Sequence, residues 1–253
     1  MKRLIIDAHG HCDEYKLFNW IDPPETVIDL MDKAGIDITL ITTYGDAPAY
    51  KQATSNLVRY VDAYPDRFIG FVRIDPRGAD EALEVIENAS TLPQIKGIKI
   101  HPISSLLKPY NPFSLKVIRK AAELGMPIFF HCGDKVSAQP WQIGIAAQLC
   151  PEATIICHMG GFFHNEESLR VAARCKNIYL DTSSIPYPHI IAKAVEMIGA
   201  DRVVFATDCP AGDPISELNK ILNLKFSKQI EEKILYKNIA RILDIKEIRG
   251  NRI

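Results

Sequence analysis

Apolar residues along the chain gather in short, dense runs separated by longer stretches with helical spacing. The runs are "LIIDAH" from Leu4, "ITLITTY" from Ile38, "FIGFVRID" from Phe68, "GIKIHP" from Gly97, "PIFFHCG" from Pro127, "TIICHMG" from Thr154, "IYLDTSS" from Ile178 and "VVFATDCP" from Val203. Most are near-continuous rather than alternating, the pattern of parallel strands covered on both faces. They start 24 to 34 residues apart, which leaves room for a helix between one strand and the next. "PPETVIDLMDKAG" has proline near its start and Gly35 at its end, the usual asymmetry of helix termini. "ADEALEVIENAS", "FSLKVIRKAAELG", "EESLRVAARC" and "HIIAKAVEMIG" put apolar residues on one helical face. Gly125 and Gly199 stand where such helices should end. Eight strands alternating with helices predict an α/β protein, a single (β/α)8 TIM barrel spanning residues 1–253. An open doubly wound sheet shares the rhythm, and the polar residues decide between the two.

Barrel enzymes build their sites at the C-terminal ends of the strands. Here those ends carry His9 and His11, then Lys99 and His101, His131, His158 and Asp208. Five of the seven histidines thus terminate apolar strands that barrel closure would bring into one ring. In "DAHGH", residues two apart on extended backbone face the same side, so His9 and His11 project together, while Gly10 permits close backbone approach. Imidazole is the commonest metal-binding side chain, and zinc takes three or four ligands. His164 and His189 sit in loop or helix-start contexts and carry no special reading. Arg73 and Asp75 end the third strand on one face. Arg73 is a candidate clamp for a substrate carboxylate, or else a member of a local ion pair, with Asp75 or another carboxylate. Tyr44 and Trp141 are candidates to line a pocket or to serve in packing, and Asp181 reads as a loop brace.

"DAHGH", "FFHCG", "CHMGG" and "FATDCP" resemble the amidohydrolase superfamily. "GIKIHP", "IYLDTSS" and the tail "KILYKNIARIL" resemble, within it, the amidohydrolase-related family that contains aminocarboxymuconate semialdehyde decarboxylase. The likeness covers nearly the whole chain. It implies that His9, His11, His131 and Asp208 bind one divalent metal ion, with zinc favoured, and that His158 stands beside the metal as acid/base or polarising group. Asp208 would also take a proton from the metal's water. The residue types agree: three imidazoles and a carboxylate with an open position make a catalytic site, where a metal brings its water toward neutral pKa and His158 can stabilise developing charge. Lys99 poses a fork. In the phosphotriesterase-like branch such a lysine is carboxylated and bridges two metals; the "GIKIHP" context resembles the single-metal branch, where the lysine stays an ammonium. Lys99 is then a candidate substrate contact, with His101 and Arg73, or an interior charge paired with a carboxylate. Cys12, Cys132 and Cys209 each follow a proposed ligand and Cys157 precedes His158, so alternation turns all four away from the metal.

The leading expectation is a metal-dependent hydrolase that directs metal-activated water at a small carboxylated, cyclic or lactone-like substrate. A non-oxidative decarboxylase with the same mononuclear site is the alternative, and a binuclear phosphotriesterase-like hydrolase a further one. A metal-binding module without catalysis is disfavoured, since an open coordination position beside an acid and a base has little use without chemistry.

Bulk properties narrow the partners. Hydrophobic residues are 47 % and charged residues 24 %, ordinary for a globular protein. A net charge of −1 without charge blocks argues against nucleic-acid or membrane-surface partners and leaves a small molecule. No apolar run reaches membrane-spanning length. "MKRLIIDAHGH" meets Asp7 after three apolar residues, too soon for a signal peptide. Six cysteines without CxxC spacing predict reduced thiols and a cytoplasmic protein. Brief loops after the first two strands predict an open pocket, or one completed by a second subunit of a homodimer.

Overall fold

The structure, a computed structural model, describes residues 3–15, 20–45, 50–134, 136–248 and 251–252. β1 (Ile6–His11) runs into a small hairpin of β2 (Asp13–Tyr15) and β3 (Trp20–Asp22). Then come α1 (Pro24–Ala34), β4 (Ile38–Thr42), α2 (Tyr50–Ala63), β5 (Phe68–Ile74), α3 (Asp80–Ser90) and β6 (Ile95–Ile100). They are followed by α4 (Pro102–Ser105), α5 (Pro112–Glu123), β7 (Ile128–Phe130), α6 (Pro140–Leu149), β8 (Ile155–His158), α7 (Asn165–Arg174), β9 (Ile178–Asp181), α8 (Pro188–Ile198) and β10 (Val203–Val204). The C-terminal part holds α9 (Pro214–Asn223), α10 (Lys228–Glu232) and α11 (Asn238–Ile242).

β1 and β4 to β10 form one eight-stranded sheet in chain order, with every neighbouring pair parallel. Its two edges meet. Ala8 donates its N–H to the Phe205 carbonyl at 2.9 Å, Asp208 to His9 at 2.9 Å and His11 to Cys209 at 2.6 Å. All eight strands and the barrel expected from the sequence are present. The five helices expected from apolar spacing correspond to α1, α3, α5, α7 and α8. Gly35, Gly125 and Gly199 take the left-handed or otherwise positive φ values, 73°, 67° and 84°, that end a helix without a Cβ penalty. α6 escapes the spacing argument because "PWQIGIAAQL" is apolar on nearly all sides and has six buried residues out of ten.

Two apolar shells result. The outer one lies between sheet and helices and takes Cys12, Cys132, Cys157 and Cys209, so the cysteines do face away from the site. The inner one fills the barrel with Ile6, Ala8, Leu40, Phe71, Phe129, Ile156 and Val204, and Ile239, Ala240 and Leu243 of the C-terminal tail join it. The tail is tied down by Asn238, whose side-chain amide donates to the carbonyls of Ala200 and Val203 at 2.7 Å each. Inward positions recur every second residue, so Phe71 is followed by Arg73, Phe129 by His131, Ile156 by His158 and Ala206 by Asp208. β1 changes phase. Its pairing with β4 is irregular between Asp7 and Gly10, so Ile6 and Ala8 face inward below the irregularity and His9 and His11 face inward above it.

Candidate metal centre

The rings of His9 and His11 stand 4.6 Å apart, edge to face. Their Nε2 atoms lie 3.2 and 3.1 Å from the same oxygen, Oδ1 of Asp208. Gly10 makes this approach possible: a Cβ there would fall 2.7 Å from Thr39 Cγ2 and 3.3 Å from the Cys209 carbonyl. Asp208 occupies left-handed backbone at φ 58°, a region that Asp enters more readily than most residues. Ser184, itself left-handed at φ 56°, donates its hydroxyl to Asp208 Oδ2 at 3.3 Å. Asp7 clasps the seam from below. Its Oδ1 accepts the N–H groups of His9 and Thr207 at 3.1 and 2.9 Å, and its Oδ2 accepts the Thr207 hydroxyl at 2.6 Å.

Among the described residues, His9, His11 and Asp208 form a group whose candidate ligand atoms all lie within 4.8 Å of one another. Burial, and then the charge of Lys99, push His9 well below the ordinary imidazole value; burial also lowers His11. Burial works to raise the Asp208 carboxyl, but its contacts with His11 and His9 outweigh that and hold it below the usual carboxylate range. Two neutral imidazoles and an ionised carboxylate converging on one point are a donor set that fits a divalent ion such as zinc or manganese.

Lys99 is 1 % exposed. Its Nζ lies 3.2 Å from His9 Nε2 and 4.1 Å above the Phe129 ring. Burial pushes the ammonium down to about 7, against the pull of Asp208. Arg73 is its register partner across β5 and β6, buried, and donates to the Thr43 carbonyl at 3.3 Å and Ser104 Oγ at 3.0 Å. Asp75, the other partner considered for Arg73, is taken instead by Arg77, whose N–H and Nε reach it at 2.9 and 2.8 Å where the chain turns after β5.

His101 caps α4 with Nδ1 accepting the Ser104 N–H at 3.3 Å, and its ring stacks on His131 at 4.1 Å. Burial and then His131 hold His101 far below its ordinary value. The His131 ring is 5.2 Å from that of His158. Its Nε2 lies 2.5 Å from Asp134 Oδ2, outside the group of three, and burial lowers it to about 4. His158 is buried, 5.1 Å from the His9 ring. Asp181, expected as a loop brace, is its register partner on β9 and has Oδ2 2.8 Å from His158 Nδ1. That cross-strand pairing, invisible in a linear sequence, gives Asp181 its place. Tyr44 stacks on His11 at 4.5 Å with rings 9° from parallel. Trp141 is 41 % exposed, with its ring 6.1 Å from that of Tyr110.

Residues 6–245 match the family model described as amidohydrolase. No curated protein matches the chain. Among solved structures, 2,6-dihydroxybenzoate decarboxylase from Rhizobium superposes with a TM-score of 0.77 at 16 % identity, over 97 % of this chain and 100 % of that one. The 5-carboxyvanillate decarboxylase of Sphingomonas paucimobilis gives 0.77 at 15 % identity, over 97 % and 100 %. A dihydroxybenzoic acid decarboxylase of Polaromonas, solved with manganese and the inhibitor 2-nitroresorcinol, gives 0.73 at 16 % identity, over 98 % and 99 %.

Proposed function

This chain belongs to the amidohydrolase family, and from that premise we propose that it is a metal-dependent, non-oxidative decarboxylase of a small carboxylated substrate, acting as one catalytic barrel. The observation that carries this reading is the pair of interior cations, Arg73 and Lys99, side by side on β5 and β6 at the level of the histidine–aspartate group. Two basic side chains at that level offer a carboxylate both charge and directional N–H donors. The similar solved structures support the carbon–carbon lyase over the hydrolase that the sequence favoured.

His9, His11 and Asp208 would hold one divalent ion, with His131 as the expected fourth ligand. The ion would act as a Lewis acid that binds and polarises the substrate's oxygens. Arg73 and Lys99 bind the substrate carboxylate, and His101 stands beside Arg73 through Ser104. When the C–C bond breaks, carbon dioxide leaves and the electron pair stays on carbon, so the negative charge remains within reach of both cations. From the doubly protonated ring of His158, the Nε2 proton moves to that carbon and completes the C–H bond; the neutral ring that remains keeps its Nδ1 hydrogen and regains the Nε2 proton from solvent. Asp208, fixed by His9 and His11, keeps its carboxylate on the same side and can exchange a proton with the substrate.

The six cysteines are free and buried, which supports the cytoplasmic setting expected from the sequence. No described helix is long and apolar enough to cross a membrane. Large apolar side chains stand exposed on the loops after β6 to β9, among them Leu106, Val136, Phe162 and Tyr187. That rim supports the homodimer reading, which light scattering tests by mass.

The deciding experiment loads the protein with manganese or zinc and offers 2,6-dihydroxybenzoate, 5-carboxyvanillate, carboxylated dienes and lactones. Carbon dioxide should appear in equal amount with the decarboxylated product. Lactone opening without carbon dioxide would return the reading to a hydrolase.

A further inference from the structure

The turn that follows β9, Thr182-Ser183-Ser184, puts a hydroxyl on each of three neighbouring groups. Thr182 Oγ1 accepts the Ala206 N–H at 3.1 Å, and the Thr182 N–H donates to the Val204 carbonyl at 3.1 Å, so the turn is pinned to the last strand. Ser183 is fully buried. Its N–H and its hydroxyl both donate to Asp181 Oδ1, at 2.8 and 2.7 Å, and its Oγ lies 3.2 Å from His158 Nδ1. Ser184 reaches Asp208 Oδ2.

A hydroxyl carries one hydrogen. Ser183 gives its hydrogen to Asp181 Oδ1, so toward His158 the same oxygen acts as an acceptor. Nδ1 of His158 must then be the nitrogen that carries hydrogen, aimed at Ser183 Oγ. The other nitrogen, Nε2, is left for exchange with a substrate. The second serine works on a different group. Ser184 and Asp208 both hold left-handed backbone, which is strained for residues other than glycine and persists where surroundings enforce it. Their mutual hydrogen bond fixes the Asp208 carboxylate relative to His9 and His11.

We propose that Ser183 and Ser184 are positioning residues with separate tasks: Ser183 sets which nitrogen of His158 exchanges protons, and Ser184 sets the carboxylate that faces the metal. The first task rests on the reading of His158 as the proton-exchanging group. Neither serine is a catalytic residue, since neither is required to touch the reacting atoms.

The test uses the full chain loaded with zinc and labelled with 15N-histidine, and it reads two quantities that do not depend on turnover. One is the nitrogen spectrum of His158, which distinguishes a hydrogen on Nδ1 from one on Nε2. The other is the zinc Kd, by competition with a chromophoric chelator. In the parent protein His158 should carry hydrogen on Nδ1. Ser183→Ala should move a large share of it to Nε2 while zinc affinity stays within about twofold. Ser184→Gly, which accepts the positive φ but lacks the hydroxyl, should weaken zinc about 10- to 100-fold, the range for partners that orient a metal ligand, and leave the His158 spectrum unchanged. Asp181→Asn removes the acceptor that fixes the Ser183 hydrogen and should also move hydrogen to Nε2, so it serves if Ser183→Ala does not fold. Four results would each overturn the proposal: a neutral His158 ring in the parent with its hydrogen on Nε2 instead of Nδ1, an unchanged spectrum in Ser183→Ala or Asp181→Asn, unchanged zinc affinity in Ser184→Gly, or both quantities moving together in either serine variant. Because carbon dioxide is not measured here, failure of the decarboxylase reading leaves these outcomes legible.

Discussion

His158, Lys99 and Arg73 are the side chains on which the proposed chemistry depends most directly, and each makes a different prediction. His158→Asn should keep about one equivalent of metal and lower kcat about 10²- to 10⁴-fold, the usual span for losing a proton-transfer group; metal analysis beside steady-state rates checks both halves. Loss of the metal would instead make His158 a ligand. Lys99→Met should leave metal content near one equivalent and raise KM for the acid by on the order of tenfold, about 1.4 kcal/mol of binding. Two equivalents in the parent protein, with added mass on Lys99, would show a carboxylated lysine and a binuclear site. These residues were legible in the sequence because polar side chains at the ends of apolar strands are conspicuous. The partnerships Arg73–Lys99 and His158–Asp181 were not, because each depends on the register between two strands, and register is decided by how sheet and helices pack rather than by either strand alone. The Arg77 hold on Asp75 was hidden for a simpler reason: it forms within a tight turn that hydrophobic spacing does not report.

Elements carry the site through two features that spacing alone underspecifies. The first is the phase change on β1. Alternation predicts that His9 and His11 project together, which they do, but it gives no sign that the inward face switches between Asp7 and Gly10. Gly10→Ala would press a methyl against Thr39 and the Cys209 carbonyl, so it should cost about 1–3 kcal/mol of stability, the usual range for overpacking, and weaken metal binding as well; urea unfolding and a zinc titration read the two effects. The second is α9, which leaves the loop carrying Asp208. Its Glu217 is buried, with Oε1 accepting the Lys220 ammonium at 2.6 Å. Burial pushes that carboxyl from an ordinary 4.5 up to about 7. The folded state therefore disfavours the ionised form. Stability from this group is full below about pH 4.5 and falls as pH rises through about 7, because the unfolded chain releases the proton more readily. Glu217→Gln removes that dependence. It should add on the order of 1–3 kcal/mol at pH 8 and nearly nothing at pH 4, measured by denaturant unfolding at both values. The helices α1, α3, α5, α7 and α8, each with one apolar stripe, were legible in advance, whereas α6 was not, being buried on most of its surface.

At the level of the whole molecule, a bound ion should act as a fastener across the barrel seam. A ligand that binds the folded state at about 100 times its Kd adds about 2.7 kcal/mol, which for a chain of this length raises Tm by about 5–11 °C. Stripping the metal with a chelator and restoring it should move the calorimetric midpoint down and up by that amount, while Asp208→Asn should show a much smaller response. The barrel was legible from its eight apolar runs, but the manner of its closure was not. β10 has only two residues in ladder pairing, and the join to β1 is made largely by hydrogen bonds of the loop that holds Phe205, Asp208 and Cys209.

That seam bears on how the protein is made in a cell. His11 and Asp208 are 197 positions apart, so a ribosome exposes the two histidines long before it has assembled the aspartate that completes the group. Until then, the emerging chain presents β1 as an open edge of a partial sheet, available to any other strand that finds it. The complete group exists only once the last strand has joined the first. Prematurely terminated translation products lacking the final strand would carry no weak version of the activity, since they hold only the imidazole half of the ion's binding group.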